Sequence, residues 1–137
     1  NLTSWFGEQQ PLRSFSAGYM FIDQERVKDE LISNYSLNHL RHKVTAELHH
    51  TVVKRLTLSW HFRWQQRMGS YVQYVDLKPG EKVEFAPVAL FDAKANYELG
   101  CTNLFLQANN IFNTTYVDLG NIPQPGFWFT GGVSIRL

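Results

Sequence analysis

The chain of 137 residues contains no run of 18 apolar residues, a single cysteine, and almost no excess of either charge. The first absence excludes a transmembrane helix, which needs about 20 consecutive apolar residues. The lone Cys101 excludes an intrachain disulfide framework and says little about redox compartment. A net charge of +1 from interspersed acids and bases leaves no electrostatic footprint for nucleic acid. No signal peptide is visible, and the first residue is Asn1. A piece of a longer protein and a processed mature chain both fit that start. None of this excludes a membrane β-protein, because a spanning strand needs only about 9–11 residues with every second one apolar.

What is present is alternation. From Leu40 the even positions read Leu40, His42, Val44, Ala46 and Leu48, and the odd ones Arg41, Lys43, Thr45, Glu47 and His49. Past 51–54 the even positions read Leu56, Leu58, Trp60, Phe62 and Trp64, against Arg55, Thr57, Ser59, His61, Arg63, Gln65 and Arg67. A period of two sorts side chains onto two faces of a strand, whereas a helix would smear them. These segments predict a hairpin. A second hairpin follows. Ala89, Phe91, Ala93, Ala95 and Tyr97 share one face, with Asp92, Lys94, Asn96 and Glu98 on the other. A turn at Gly100 leads into Leu104, Leu106 and Ala108, alternating with Asn103, Phe105, Gln107 and Asn109. Phe15, Ala17, Tyr19 and Phe21 add a strand upstream, and Phe127 to Leu137 closes the chain with one apolar and one small or polar face.

The expected fold is all-β: an antiparallel meander of six long strands, near 14–25, 40–50, 55–68, 85–98, 102–112 and 126–137. Two connections are short, near 51–54 and 99–101. Three are read as long loops, over 24–38, 69–84 and 113–126. Short turns at one end and long loops at the other are typical of transmembrane barrels; soluble meander barrels keep most connections short. Aromatic residues make up 15% of the chain and gather towards strand ends. Trp60, Phe62 and Trp64 precede one long loop, Trp128 and Phe129 follow another, and Tyr97 lies near a short turn. Interfacial girdles would occupy those positions. Alternation alone leaves two readings open. The apolar face is either the core of a soluble β-barrel or sandwich, with Trp60, Phe62 and Trp64 around a small apolar ligand, or it meets lipid.

The segment Leu104-Phe105-Leu106-Gln107-Ala108-Asn109-Asn110-Ile111-Phe112-Asn113-Thr114-Thr115-Tyr116, with Gly120-Asn121-Ile122-Pro123-Gln124-Pro125-Gly126 after it, resembles the C-terminal end of TonB-dependent outer-membrane receptors. In that family an Asn-Leu-Phe-Asn-like turn and a Tyr precede a Pro-Gly loop and the closing strand. Leu90 to Tyr97 is similar to the family's penultimate hairpin, and Asn34 to Lys43 to members from Bacteroides-type bacteria. Where the family commonly has a basic residue after Pro-Gly and a terminal aromatic, this chain has Phe127 and Leu137. Thr130, Gly132, Ile135 and Leu137 still fit the looser pattern read by the barrel-assembly machinery.

The resemblance implies the C-terminal part of a barrel of about 22 strands, lacking its plug domain and its other strands. It implies an outer-membrane location in a Gram-negative bacterium. The function implied is TonB-energised uptake of a scarce nutrient such as a ferric siderophore, haem or cobalamin. Expected partners are the rest of the barrel, the plug, lipid and, through the plug, the TonB complex. Arg41, Lys43, Glu47, Arg63, Arg67, Asp92, Lys94 and Glu98 are candidates to face the lumen and plug. Trp60, Phe62, Trp64, Phe91, Tyr97, Phe127 and Phe129 are candidates for the lipid side. Six strands cannot enclose a plug, and their open edges should pair with something else. No cofactor, metal site or catalytic residue is expected. His49 and His50 point to opposite faces, no cysteine or carboxylate cluster has ligand spacing, and no glycine-flanked nucleophile occurs.

Overall fold

The computed structural model describes residues 12–23, 40–75, 78–118 and 122–136. No helix occurs among them. The strands are β1 (Leu12–Phe21), β2 (Leu40–Val53), β3 (Leu56–Arg67), β4 (Ser70–Val75), β5 (Lys78–Glu84), β6 (Val88–Leu99), β7 (Thr102–Asn109) and β8 (Trp128–Ile135). Six of them form one antiparallel sheet in the order β1-β2-β3-β6-β7-β8. The expected six-stranded meander is therefore present, and β1 and β8 are its edges.

The segment expected to be a long loop over 69–84 is instead a second, two-stranded sheet of β4 and β5. Its strands are short and its β5 side chains almost all exposed, so no apolar face stamps an alternating pattern on the sequence. Cross-strand backbone bonding forms the hairpin without that signal. Gly69, at φ 93°, turns the chain out of β3, and Phe85 N–H closes the hairpin base on the Gly69 carbonyl at 3.3 Å. Strand limits shift elsewhere too. Beyond Asn109 the chain leaves β7, so Phe112 lies in a turn.

The two short connections hold two residues each. Val53 pairs with Leu56 and Leu99 with Thr102. Gly100, the first central residue of its turn, has φ 60°, where a type II′ hairpin takes glycine. Both tight turns lie at one end of the sheet. The connections after β1, β3 and β7 leave from the other end.

Among the described residues the six-stranded sheet is a single layer. No side chain among the described residues is fully buried, and the buried apolar set is only Phe85, Val88 and Leu90. Buried polar residues are Gln65, Asn109 and Asn110. All six sit near the long-connection end, where the start of the 110–127 segment runs along β6. A soluble domain ordinarily closes two layers around a core. Among the described residues this sheet carries no second layer.

Candidate functional site: one sheet, two faces

Register fixes which side chains share a face. On the apolar side, Phe15, Leu48, Trp60 and Ala93 stand in one row, and Ala17, Ala46, Phe62 and Phe91 in the next. Tyr19, Val44, Trp64 and Ala89 follow towards the long connections. Leu56, Tyr97, Leu104 and Val133 make the row near the tight turns. Trp60 lies against Phe91 at 5.8 Å between ring centroids, and Phe91 against Phe112 at 5.8 Å. Phe15, Ala46, Leu48, Trp60, Phe62 and Phe91 rim an open hollow of about 370 Å³, with Glu47 at its border. Towards the edges the face is bare: Tyr19 is 64% exposed, Leu106 56% and Phe129 69%.

Two histidines interrupt this face. His42 Nδ1 shares a hydrogen bond with the Tyr19 hydroxyl at 2.8 Å, and Phe21 tilts against its ring. Eight residues along β2, His50 stacks on Trp60 with their planes 8° apart. Each polar ring thus sits beside an aromatic at an opposite end of the apolar stretch.

Of the aromatics expected on this side, Trp60, Phe62, Trp64, Phe91, Tyr97 and Phe129 are there by register. Phe127 precedes β8, so strand register assigns it to neither face; its N–H is donated to Asn113 Oδ1 at 2.8 Å. Trp128, expected with Phe129 at a girdle, pairs with Asn109 on the polar side. Adjacent strand residues alternate, so only one of the two can face each way.

The polar side is wired. Glu47 bridges His61 Nε2 at 3.7 Å and His49 Nε2 at 3.9 Å. His61 Nδ1 reaches Asp92 at 3.4 Å, and His49 Nδ1 shares a 2.7 Å hydrogen bond with Ser59 Oγ. Asp92 also accepts the Asn110 backbone N–H at 2.8 Å. Glu47 and Asp92 are thus joined through His61 across β2, β3 and β6. Lys94 lies over the Phe105 ring at 5.3 Å, and that ring covers Gly132, where a Cβ would come within 2.6 Å of it. Arg67 stands apart at the end of β3, bonded to Asp118 and 6.0 Å over Phe85. Glu98 is opposite Asn103 near the tight turn. Arg41 adjoins a register shift in β2 and donates to Met68 Sδ at 3.6 Å. Lys43 and Arg63 lie between these groups. No group of three His, Cys, Asp or Glu side chains converges on a metal-binding position among the described residues.

Of the four residues in the assembly pattern, Thr130 and Gly132 share the polar face, opposite Gln107 and Phe105, and Ile135 the apolar one, opposite Thr102. Leu137 lies outside the described residues.

The 109–126 stretch carries the most specific local geometry. Asn110 and Asn113 adopt φ 49° and 52°, left-handed conformations that asparagine tolerates better than most residues. Asn110 Oδ1 accepts the Thr114 N–H at 2.8 Å, and its Nδ2 donates to the Thr114 and Pro125 carbonyls. A Cβ on Gly126 would lie 2.2 Å from Asn113 Oδ1, so glycine there leaves room for the amide that caps Phe127. The sequence marked these residues only through a motif; the coupling of Asn113 to Gly126 has no local signal, since 13 positions separate them.

No family model, curated protein or solved structure matches the chain.

Proposed function

We propose that this chain is the C-terminal part of a TonB-dependent outer-membrane receptor. Its apolar face would meet lipid, and its polar face would meet the lumen and plug. The observation that carries this reading is the apolar face of a meander that, among the described residues, no second layer covers. Hydrophobic burial is the main favourable term in folding, and aromatics at 64–69% exposure forgo it in water. Lipid would supply the apolar surroundings without a second protein layer.

Strand length supports the same reading. β3 and β6 each have 12 residues, against about 5–6 in ordinary soluble sheets. At about 3.3 Å per residue and a tilt of about 40°, such a strand rises roughly 30 Å, enough for an apolar band about 25 Å tall. The alternation of tight turns and long connections, and the asparagine–Pro-Gly motif, point the same way. The nutrient would be scarce and large, in the class of ferric siderophores, haem or cobalamin. The long connections would lie on the outer surface, and energy would come through the plug from the TonB complex.

Deletion of the gene, with fractionation of its product, tests this. The expected product sits in the outer membrane, and the deletion strain loses uptake of one such nutrient that a protonophore also abolishes. A product found only in soluble fractions overturns the reading and favours a soluble β-protein holding an apolar ligand against Trp60 and Phe62.

A further inference from the structure

We infer that Lys43, Thr45, Arg63 and Gln65 form a binding site for an oxyanion of the carboxylate class on the polar face. Lys43 is directly opposite Gln65, and Thr45 directly opposite Arg63. Opposite partners in an antiparallel pair have Cβ atoms about 5 Å apart, and diagonal neighbours about 7–8 Å. One small area of sheet therefore presents an ammonium, a guanidinium, a primary amide and a hydroxyl. All four can donate hydrogen bonds.

Among the described residues, none of the four side chains has a hydrogen-bond or ion-pair partner, and the carboxylates neighbouring Lys43 and Arg63 are committed elsewhere. Glu47 turns to His49 and His61, Asp92 to His61 and the Asn110 N–H, and Asp118 to Arg67. Asp23, just beyond β1, pairs with neither cation. Gln65 is nine-tenths buried, and Arg63 Nε is shut off from solvent without an acceptor. A partly desolvated guanidinium attracts an anion more strongly than one in bulk water, because screening is weaker there.

The surroundings narrow the ligand. Gly18, opposite Thr45, leaves the approach open; a Cβ there would stand 3.2 Å from Thr45 Oγ1. Val88 and Leu90, opposite Gln65 and Arg63, give the site an apolar border. A carboxylate carried beside an aliphatic group fits both the donors and that border. This assignment goes beyond the receptor reading and does not depend on it, since the donors share a face whatever meets the other side.

Calorimetric titration of the intact chain tests it with two probes, citrate and the capped pentapeptide Ac-Ala-Leu-Asp-Leu-Ala-NH2. At least one should bind, with the Gln65 side-chain amide resonance shifting on saturation. Lys43→Gln and Arg63→Gln should each weaken binding roughly tenfold, as for loss of a charge-assisted hydrogen bond. Arg13→Gln, near the tight-turn end, should leave it unchanged, with circular dichroism confirming the fold of every variant. Tighter citrate binding identifies a free solute as the source of the oxyanion; tighter peptide binding identifies an acidic polypeptide segment. The inference is overturned if neither probe binds, or if Arg13→Gln weakens binding as much as Arg63→Gln.

Discussion

The two faces of this sheet are built from the same strands and solve opposite problems. On the polar face, Glu47, His61, Asp92 and the Asn110 backbone satisfy one another across three strands and a connection. On the other, aromatic and aliphatic side chains touch along the centre and then run out to bare edges. The polar face can stand in water as it is. The apolar face has no such internal partners among the described residues, and that difference is what the proposed lipid-facing reading rests on.

The sharpest way to break the contrast is to put the same charge on each side. Leu106→Arg places a guanidinium on the apolar face, and in lipid bilayers it should destabilise the fold by roughly 2–4 kcal/mol. Thr130→Arg, on the exposed polar face opposite the uncharged Gln107, should stay within about 0.5 kcal/mol. Urea unfolding in phospholipid vesicles measures both. Equal effects would mean that the two faces share one environment.

A smaller effect is expected where the connection after β7 grips both faces. Asn110→Ala removes a left-handed asparagine whose amide bonds Thr114 and Pro125, and should destabilise by about 2 kcal/mol. Phe112→Ala loses only an edge contact of a 73% exposed ring with Phe91 and should lose about 1 kcal/mol or less. Chemical denaturation compares the two.

Neighbouring glycines give a finer comparison. An alanine at Gly132 meets the Phe105 ring at 2.6 Å, while at Gly131 the nearest atoms are 3.5 Å away, in ordinary contact. Gly132→Ala should destabilise by about 1 kcal/mol, and Gly131→Ala should be close to neutral. The smallest effect belongs to Glu47→Gln. Its histidine contacts are half-exposed and 3.7–3.9 Å long, so the change in unfolding free energy should be roughly 0–1 kcal/mol.

The strongly alternating parts of the fold were legible in the sequence. Leu40 to Arg67 reads as two strands because Val44, Ala46 and Leu48 must share a face with Trp64, Phe62 and Trp60, and the register pairs them so. The β4–β5 hairpin was not legible. Lys78-Pro79-Gly80-Glu81-Lys82-Val83-Glu84 looks like a turn-rich loop, and backbone pairing leaves no mark on side-chain pattern. Of the candidate oxyanion site, Lys43 and Arg63 were visible as polar-face cations. Their lack of an acid partner among the described residues was not, because it depends on Glu47 and Asp92 being taken up by histidines through a register that no single strand specifies. The asparagine motif was visible as a motif; the need for Gly126 beneath Asn113 appears only when the connection folds back.

Tryptophan fluorescence tests the central claim most directly. Variants keeping only Trp60 or only Trp128 place one indole on each side of the sheet. In vesicles of phosphatidylcholine with brominated acyl chains, Trp60 should be strongly quenched relative to unbrominated vesicles and Trp128 much less. Equal quenching of the two, or quenching of Trp128 alone, would contradict a lipid-facing apolar side.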